Sequence, residues 1–216
     1  MIKTFRATSL VAMAALMCST AVPAIAAEGY MLIGYGARQK ALAGSDVADS
    51  RDGMAASVNP AGIVGLERQF QFGVTALLPE RGYNAVGTLT IAPGDVRSGR
   101  PIFPVPNDAY VQPIDADSAW GTVSYGNGGI NTAYSFGNFK APFGGPFGGG
   151  FAGVDLEQGF FSFVYARRMG NFSLGVAPTL AAQMLNVQGL KTLAAYSSDR
   201  YSMSDDGYDF SVGGGR

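Results

Sequence analysis

The chain has 216 residues, with 15 lysines and arginines against 16 aspartates and glutamates, and no histidine. This balance lacks the basic excess of a nucleic-acid-binding protein. The absence of histidine removes the usual zinc sets and the Ser-His or Cys-His pairs of common hydrolases. Charged residues make up 14% of the chain, against about 25% in ordinary soluble domains.

The first 26 residues read as an export signal. Lys3 and Arg6 form a positive start, Leu10–Met17 a short apolar run, and Ala24-Ile25-Ala26 a small-x-small cleavage site. The run is too short to cross a bilayer as a helix. The single cysteine, Cys18, lies inside this signal, so the exported chain is expected to carry no disulfide. Without Lys3 and Arg6, 13 basic residues face 16 acidic ones, a net charge of −3.

Residues 27–66 come next. Small residues crowd this stretch, among them Gly34, Gly36, Ala37, Ala41, Gly53, Ala55 and Ala56, and they permit close backbone approach. Arg38, Lys40, Asp46, Asp49, Arg51 and Asp52 make it polar, and it closes on Asn59-Pro60-Ala61. Proline biases Asn59 towards an extended or turn conformation. By itself the stretch reads as a compact polar segment, or as a surface arm with two short helices.

From residue 67 onward the period is two. In Gln69–Leu78, Phe70, Phe72, Val74, Ala76 and Leu78 alternate with polar or small residues. Pro106–Ile114 and Ala119–Phe136 flank a turn at Asp115–Ser118. In the second arm Trp120, Thr122 and Ser124 oppose Ala119, Val123 and Tyr125. Its middle, Gly126-Asn127-Gly128-Gly129, cannot sustain a regular ladder. Two outcomes stay open there: a bulge or kink in one strand, or a hairpin turn between two. Phe160–Leu185 reads as a hairpin about Met169-Gly170-Asn171, with a bulge at Pro178. Phe172–Leu185 exceeds the roughly 9–11 residues a tilted strand needs to cross hydrocarbon.

Short turns alternate with long segments, Arg81–Val105, Gly137–Leu156 and Gly189–Ser204, which read as loops. That is the habit of outer-membrane barrels. The Gly-rich loop Phe139–Phe151 lacks the strand-loop-helix setting of a phosphate cradle; its four phenylalanines suggest an apolar surface. An exported, aromatic-rich chain of this kind is an outer-membrane β-barrel or a secreted β-sandwich.

Several stretches, taken together and in order, resemble the FadL/TodX family of outer-membrane transporters for long-chain fatty acids and other hydrophobic compounds. GYGARQKALAGSDVADSRDGMAASVNPAGI is similar to that family's hatch, ending in its Asn-Pro-Ala motif at Asn59, Pro60 and Ala61. FQFGVTALLP resembles its first strand, and YGNGGINTAY its third, where an inward kink opens the barrel wall. YARRMGNFSLGVAPTLAAQMLNVQGL resembles its fourth and fifth strands, and DDGYDFSVGGGR the start of its sixth.

The resemblance implies an all-β fold. Residues 67–216 would supply the first five to six strands of a transmembrane antiparallel barrel of fourteen, with 27–66 as a hatch of short helices, and the reading frame would continue beyond Arg216. It implies passive uptake of hydrophobic molecules such as fatty acids, in the bacterial outer membrane, by a monomeric barrel that contacts outer-membrane lipid. Gly126, Asn127, Gly128 and Gly129 would shape a lateral opening, while Asn59 would hold the hatch by side-chain hydrogen bonds. It implies no catalysis, cofactor, metal or nucleic acid, and it names no ligand-contact residue. Three alternatives remain: a porin-like or adhesin barrel, a secreted β-sandwich binding protein, and a hydrolase using Asp205, Asp206 and Asp209.

Overall fold

The computed structural model describes residues 31–87, 94–134, 152–189 and 207–215. The expected export signal, the Gly-rich stretch Phe139–Phe151, Asp205 and Asp206 lie outside them. The described residues are mostly antiparallel β-sheet. Strands β1 (Gln69–Leu77), β4 (Phe103–Pro113), β5 (Ser118–Tyr134), β6 (Ala152–Met169), β8 (Thr179–Gln188) and β9 (Asp209–Gly215) lie side by side in chain order. Strand β7 (Phe172–Val176) pairs with the lower end of β6 and β8 with its upper part, so the two form one line broken at Ala177-Pro178. The break is the irregularity expected at Pro178, which has no amide hydrogen to donate. There the Phe163 amide donates to the Pro178 carbonyl instead.

The two faces of this sheet differ as the alternation requires. On one, Phe70, Phe72, Val74, Phe161, Phe163, Leu174, Val176 and Leu180 are exposed, Phe70 at 69% and Leu180 at 54%. On the other, Ala109, Val111, Ala119, Val123, Val164 and Ala166 are buried beneath the N-terminal segment. Near the two short turns, Tyr110, Trp120 and Phe163 make an aromatic row on the bare face, with ring centroids 5.5 and 5.7 Å apart.

The N-terminal segment has one helical turn, α1 (Ala37–Ala41), and two 3-10 turns, Gly53–Ser57 and Pro60–Ile63. Met54 and Ile63 point into the sheet and are fully buried. A surface arm would leave them in water. Gly175 of β7 permits the closest approach: a Cβ there would lie 2.3 Å from the Ala61 nitrogen.

Three readings from the sequence need correction. Gly137–Leu156 does not end as a loop, because β6 begins at Ala152 and its first residues pair with β5. Arg81–Val105 is not loop throughout: β2 (Gly82–Ala85) pairs with β3 (Gly94–Arg97), and β4 already begins at Phe103. Strands of four residues are too short to display a period, which is why the alternation missed them. The Gly126–Gly129 stretch is no hairpin turn either, because β5 runs through it as one strand of 17 residues.

Candidate functional site

The ladder between β4 and β5 runs from Pro113↔Ala119 to Asn107↔Tyr125 and stops there. Beyond it, Phe103–Pro106 stays paired to β1 alone. Pro104 and Pro106 explain why: neither has an amide hydrogen, so β4 cannot serve two neighbours here. On the other side of β5, pairing with β6 passes from Gly126↔Gly159 to Gly129↔Glu157. Asn127 and Gly128 therefore oppose Gln158 alone, which defines a bulge. Gly128 takes φ 106°, a conformation that glycine adopts readily and other residues resist. The four predicted residues thus sit together where the wall between β4 and β5 loses its hydrogen bonds. Asn127 adds a buried Oδ1 that finds no partner among the described residues.

A cavity of about 350 Å³ occupies this break. Leu32 closes it from the N-terminal segment. Leu77, Phe103 and Val105 line one flank, and Gly126, Gly128, Gly129 and Leu156 the other. Polar groups are few: Arg81, Asn131, Glu157 and Gln158. The Arg81 guanidinium lies 5.1 Å from the centroid of the Phe103 ring and donates to the Arg100 carbonyl at 3.0 Å. A second groove, of about 450 Å³, lies against the bare face, where Phe161, Leu180, Met184 and Phe210 line it. Pro106, Gly126, Glu157 and Gln158 border both spaces, so the cavity and the groove adjoin at the break.

Below the break, Tyr125 connects sheet and N-terminal segment. Its ring lies 4.2 Å from Tyr35 and 5.6 Å from Phe160, centroid to centroid. The segment is held firmly elsewhere. Asn59 Nδ2 donates to the Val47 carbonyl at 2.8 Å, and Asn59 Oδ1 accepts from the Ala61 amide at 3.2 Å. The structure thus gives Asn59 the bonds expected of it, Pro60 opens the second 3-10 turn, and Ala61 rests on Gly175. Gln39, fully buried, accepts from the Tyr35 amide and donates to the Met54 carbonyl at 2.7 Å. Asp49 bonds both Arg51 (2.8 Å) and Arg38 (3.0 Å), and the Arg51 hydrogen bond holds its carboxyl below the usual range.

Sequence reasoning missed one further cluster. Asp155, on β6, accepts from Asn131 of β5 and from the Tyr208 hydroxyl, the latter at 2.6 Å. The carboxylate raises the Tyr208 phenol above its ordinary value. These residues are far apart in the chain, and only the β5-β6-β8-β9 register joins them.

Among the described residues no group of three or more histidine, cysteine, aspartate or glutamate side chains could hold a metal. Asp209 opens β9, paired with Leu185 of β8. No protein-family model matches the chain, and no curated protein matches it.

Proposed function

We propose that this sheet is the first part of a transmembrane β-barrel in the bacterial outer membrane, that the N-terminal segment is its hatch, and that the break between β4 and β5 is a lateral exit for hydrophobic molecules. The observation that carries the reading is the interrupted ladder itself, coinciding with an apolar cavity that adjoins a groove on the bare face. Backbone left unpaired against lipid costs several kcal/mol per group, so membrane strands tolerate irregularity only where it borders a cavity or water. The apolar bare face with its aromatic row supports contact with acyl chains. The covered face supports a plug, because Met54 and Ile63 fill it instead of water.

The work is passive. An apolar compound loses water on entering the cavity, which is favourable by about 25 cal/mol per Å² of buried apolar surface. It then leaves between β4 and β5 into the outer leaflet. No bond is made or broken, and no cofactor takes part. Fractionation of cells expressing the complete reading frame tests the location. The expected result is outer-membrane protein whose mobility on a denaturing gel shifts with heating; recovery as a soluble periplasmic protein would refute the reading.

A further inference from the structure

The outer groove is apolar but not neutral. Across the bare face one row runs Phe72, Asp108, Ser124, Phe161, Leu180. Asp108 is the only ionisable residue in that row, two positions along β4 from Tyr110 of the aromatic row. A carboxylate among lipid-facing side chains is costly, and ionisable residues at membrane depth generally serve a ligand or ion pathway. Glu157, paired with Met184 on the same face, brings a second carboxylate to the same groove. No lysine or arginine lines the groove among the described residues. Neither carboxylate enters an ion pair among the described residues, whereas Asp46, Asp49 and Asp95 do. On the inner side Arg81 lines the cavity together with Glu157, so a cation is present there as well as a carboxylate, whereas the groove on the bare face carries carboxylates alone among the described residues.

Resting on the transport reading above, we infer that Asp108 and Glu157 select the cargo: the exit takes hydrophobic molecules that carry a protonated amine and disfavours fatty-acid carboxylates. The apolar walls accept an alkyl or aromatic body. The two carboxylates attract a cationic head at the mouth and repel an anionic one. Charge of one sign in a low-dielectric cleft raises the local concentration of the opposite charge by about tenfold or more.

The test uses the protein from its complete reading frame in lipid vesicles, with three probes of equal chain length: a long-chain primary amine, the alcohol and the carboxylic acid. The amine is expected to enter about tenfold faster than the acid, with the alcohol between them. The Asp108→Asn, Glu157→Gln double variant, whose side chains keep their size, is expected to bring amine and acid within about twofold and to leave the alcohol unchanged. An acid that enters as fast as the amine, an amine no faster than the alcohol, or an amine-to-acid ratio unaltered in the double variant overturns the inference while leaving transport intact. Failure of all three probes to enter overturns the transport reading, and the selection with it.

Discussion

Val105 and Gly126 face each other at the foot of the break between β4 and β5. A Cβ at Gly126 would lie 2.5 Å from Cγ1 of Val105 and 3.9 Å from its Cβ. The strands are therefore close here without being hydrogen-bonded, and only the missing side chain of Gly126 lets Val105 occupy the space. Above this point Pro104 and the Asn127-Gly128 bulge keep them apart.

The bulge should be sensitive at Gly128 for a reason of its own. Its φ of 106° is strained for any residue with a Cβ, at about 1–3 kcal/mol. Gly128→Ala is expected to lower the midpoint of denaturant unfolding by a corresponding amount. Gly159→Ala, where a Cβ meets nothing within 4 Å, is expected to change it little. Equal effects would mean that the bulge conformation is not needed.

The two faces of β8 give a second test. Leu180 is exposed on the bare face, whereas Ala181 pairs with Phe160 on the covered one. An arginine facing mid-bilayer costs about 2–4 kcal/mol. Leu180→Arg should therefore reduce heat-modifiable barrel in the membrane far more than Ala181→Arg. The reverse order would assign the wrong face to lipid.

Removing the bonds of Asn59 should loosen the N-terminal segment and spare the sheet. Asn59→Ala loses the bond to the Val47 carbonyl and the cap on the Ala61 amide, worth about 0.5–2 kcal/mol for a cap of this type. Protease cleavage between residues 31 and 66 is expected to speed up, with heat modifiability unchanged. Gly175→Val, which drives a Cβ into the Pro60-Ala61 backbone, should do the same more severely.

Acid should act on the same segment. Asp49 has its carboxyl lowered in the folded state, first by the Arg51 hydrogen bond. A lowered carboxyl stabilises the fold above its unfolded value, about 3.9 for aspartate. That contribution fades as the pH falls from there through the lower folded value. Protection of residues 31–66 from hydrogen exchange is thus expected to be level from pH 7 to pH 5 and to decline below about pH 4. In Asp49→Asn the decline should be smaller.

Much of this was legible in the sequence because it is local. The period of two in Gln69–Leu78 and Phe172–Leu185 follows from the pleat, and it fixed the faces of β1, β7 and β8. The glycines at 126, 128 and 129 announced an irregularity, as a bulge or as a hairpin turn, and Pro60 announced an extended or turn conformation at Asn59. What stayed hidden depends on neighbours distant in the chain. Pro104 looks like a loop residue, and Pro106 like the first residue of a strand, until β4 is seen to start at Phe103 and to pair with β1 on one edge alone here. Gln39 carries no periodic mark, since its burial is stabilised by bonds to Tyr35, Met54 and Ser57. Asp155 reads as a solvated acid until the register brings Asn131 and Tyr208 to it. Asp108 sits in the right phase of β4 for the bare face, but only pairing with Phe72 and Ser124 reveals how apolar its row is.

The most direct measurement pins the break shut. Cysteines at Val105 and Gly126 would have their Cβ atoms about 3.9 Å apart, within the roughly 3.5–4.5 Å of a disulfide. The only native cysteine is Cys18, in the N-terminal stretch expected from the sequence to be an export signal. Uptake of a hydrophobic probe is measured per folded protein for the Val105→Cys, Gly126→Cys double variant, first oxidised and then reduced. The expected result is uptake at least about tenfold slower when oxidised, a barrier increase of about 1.4 kcal/mol, with recovery on reduction. Undiminished uptake by fully cross-linked, heat-modifiable protein would contradict a lateral exit between β4 and β5.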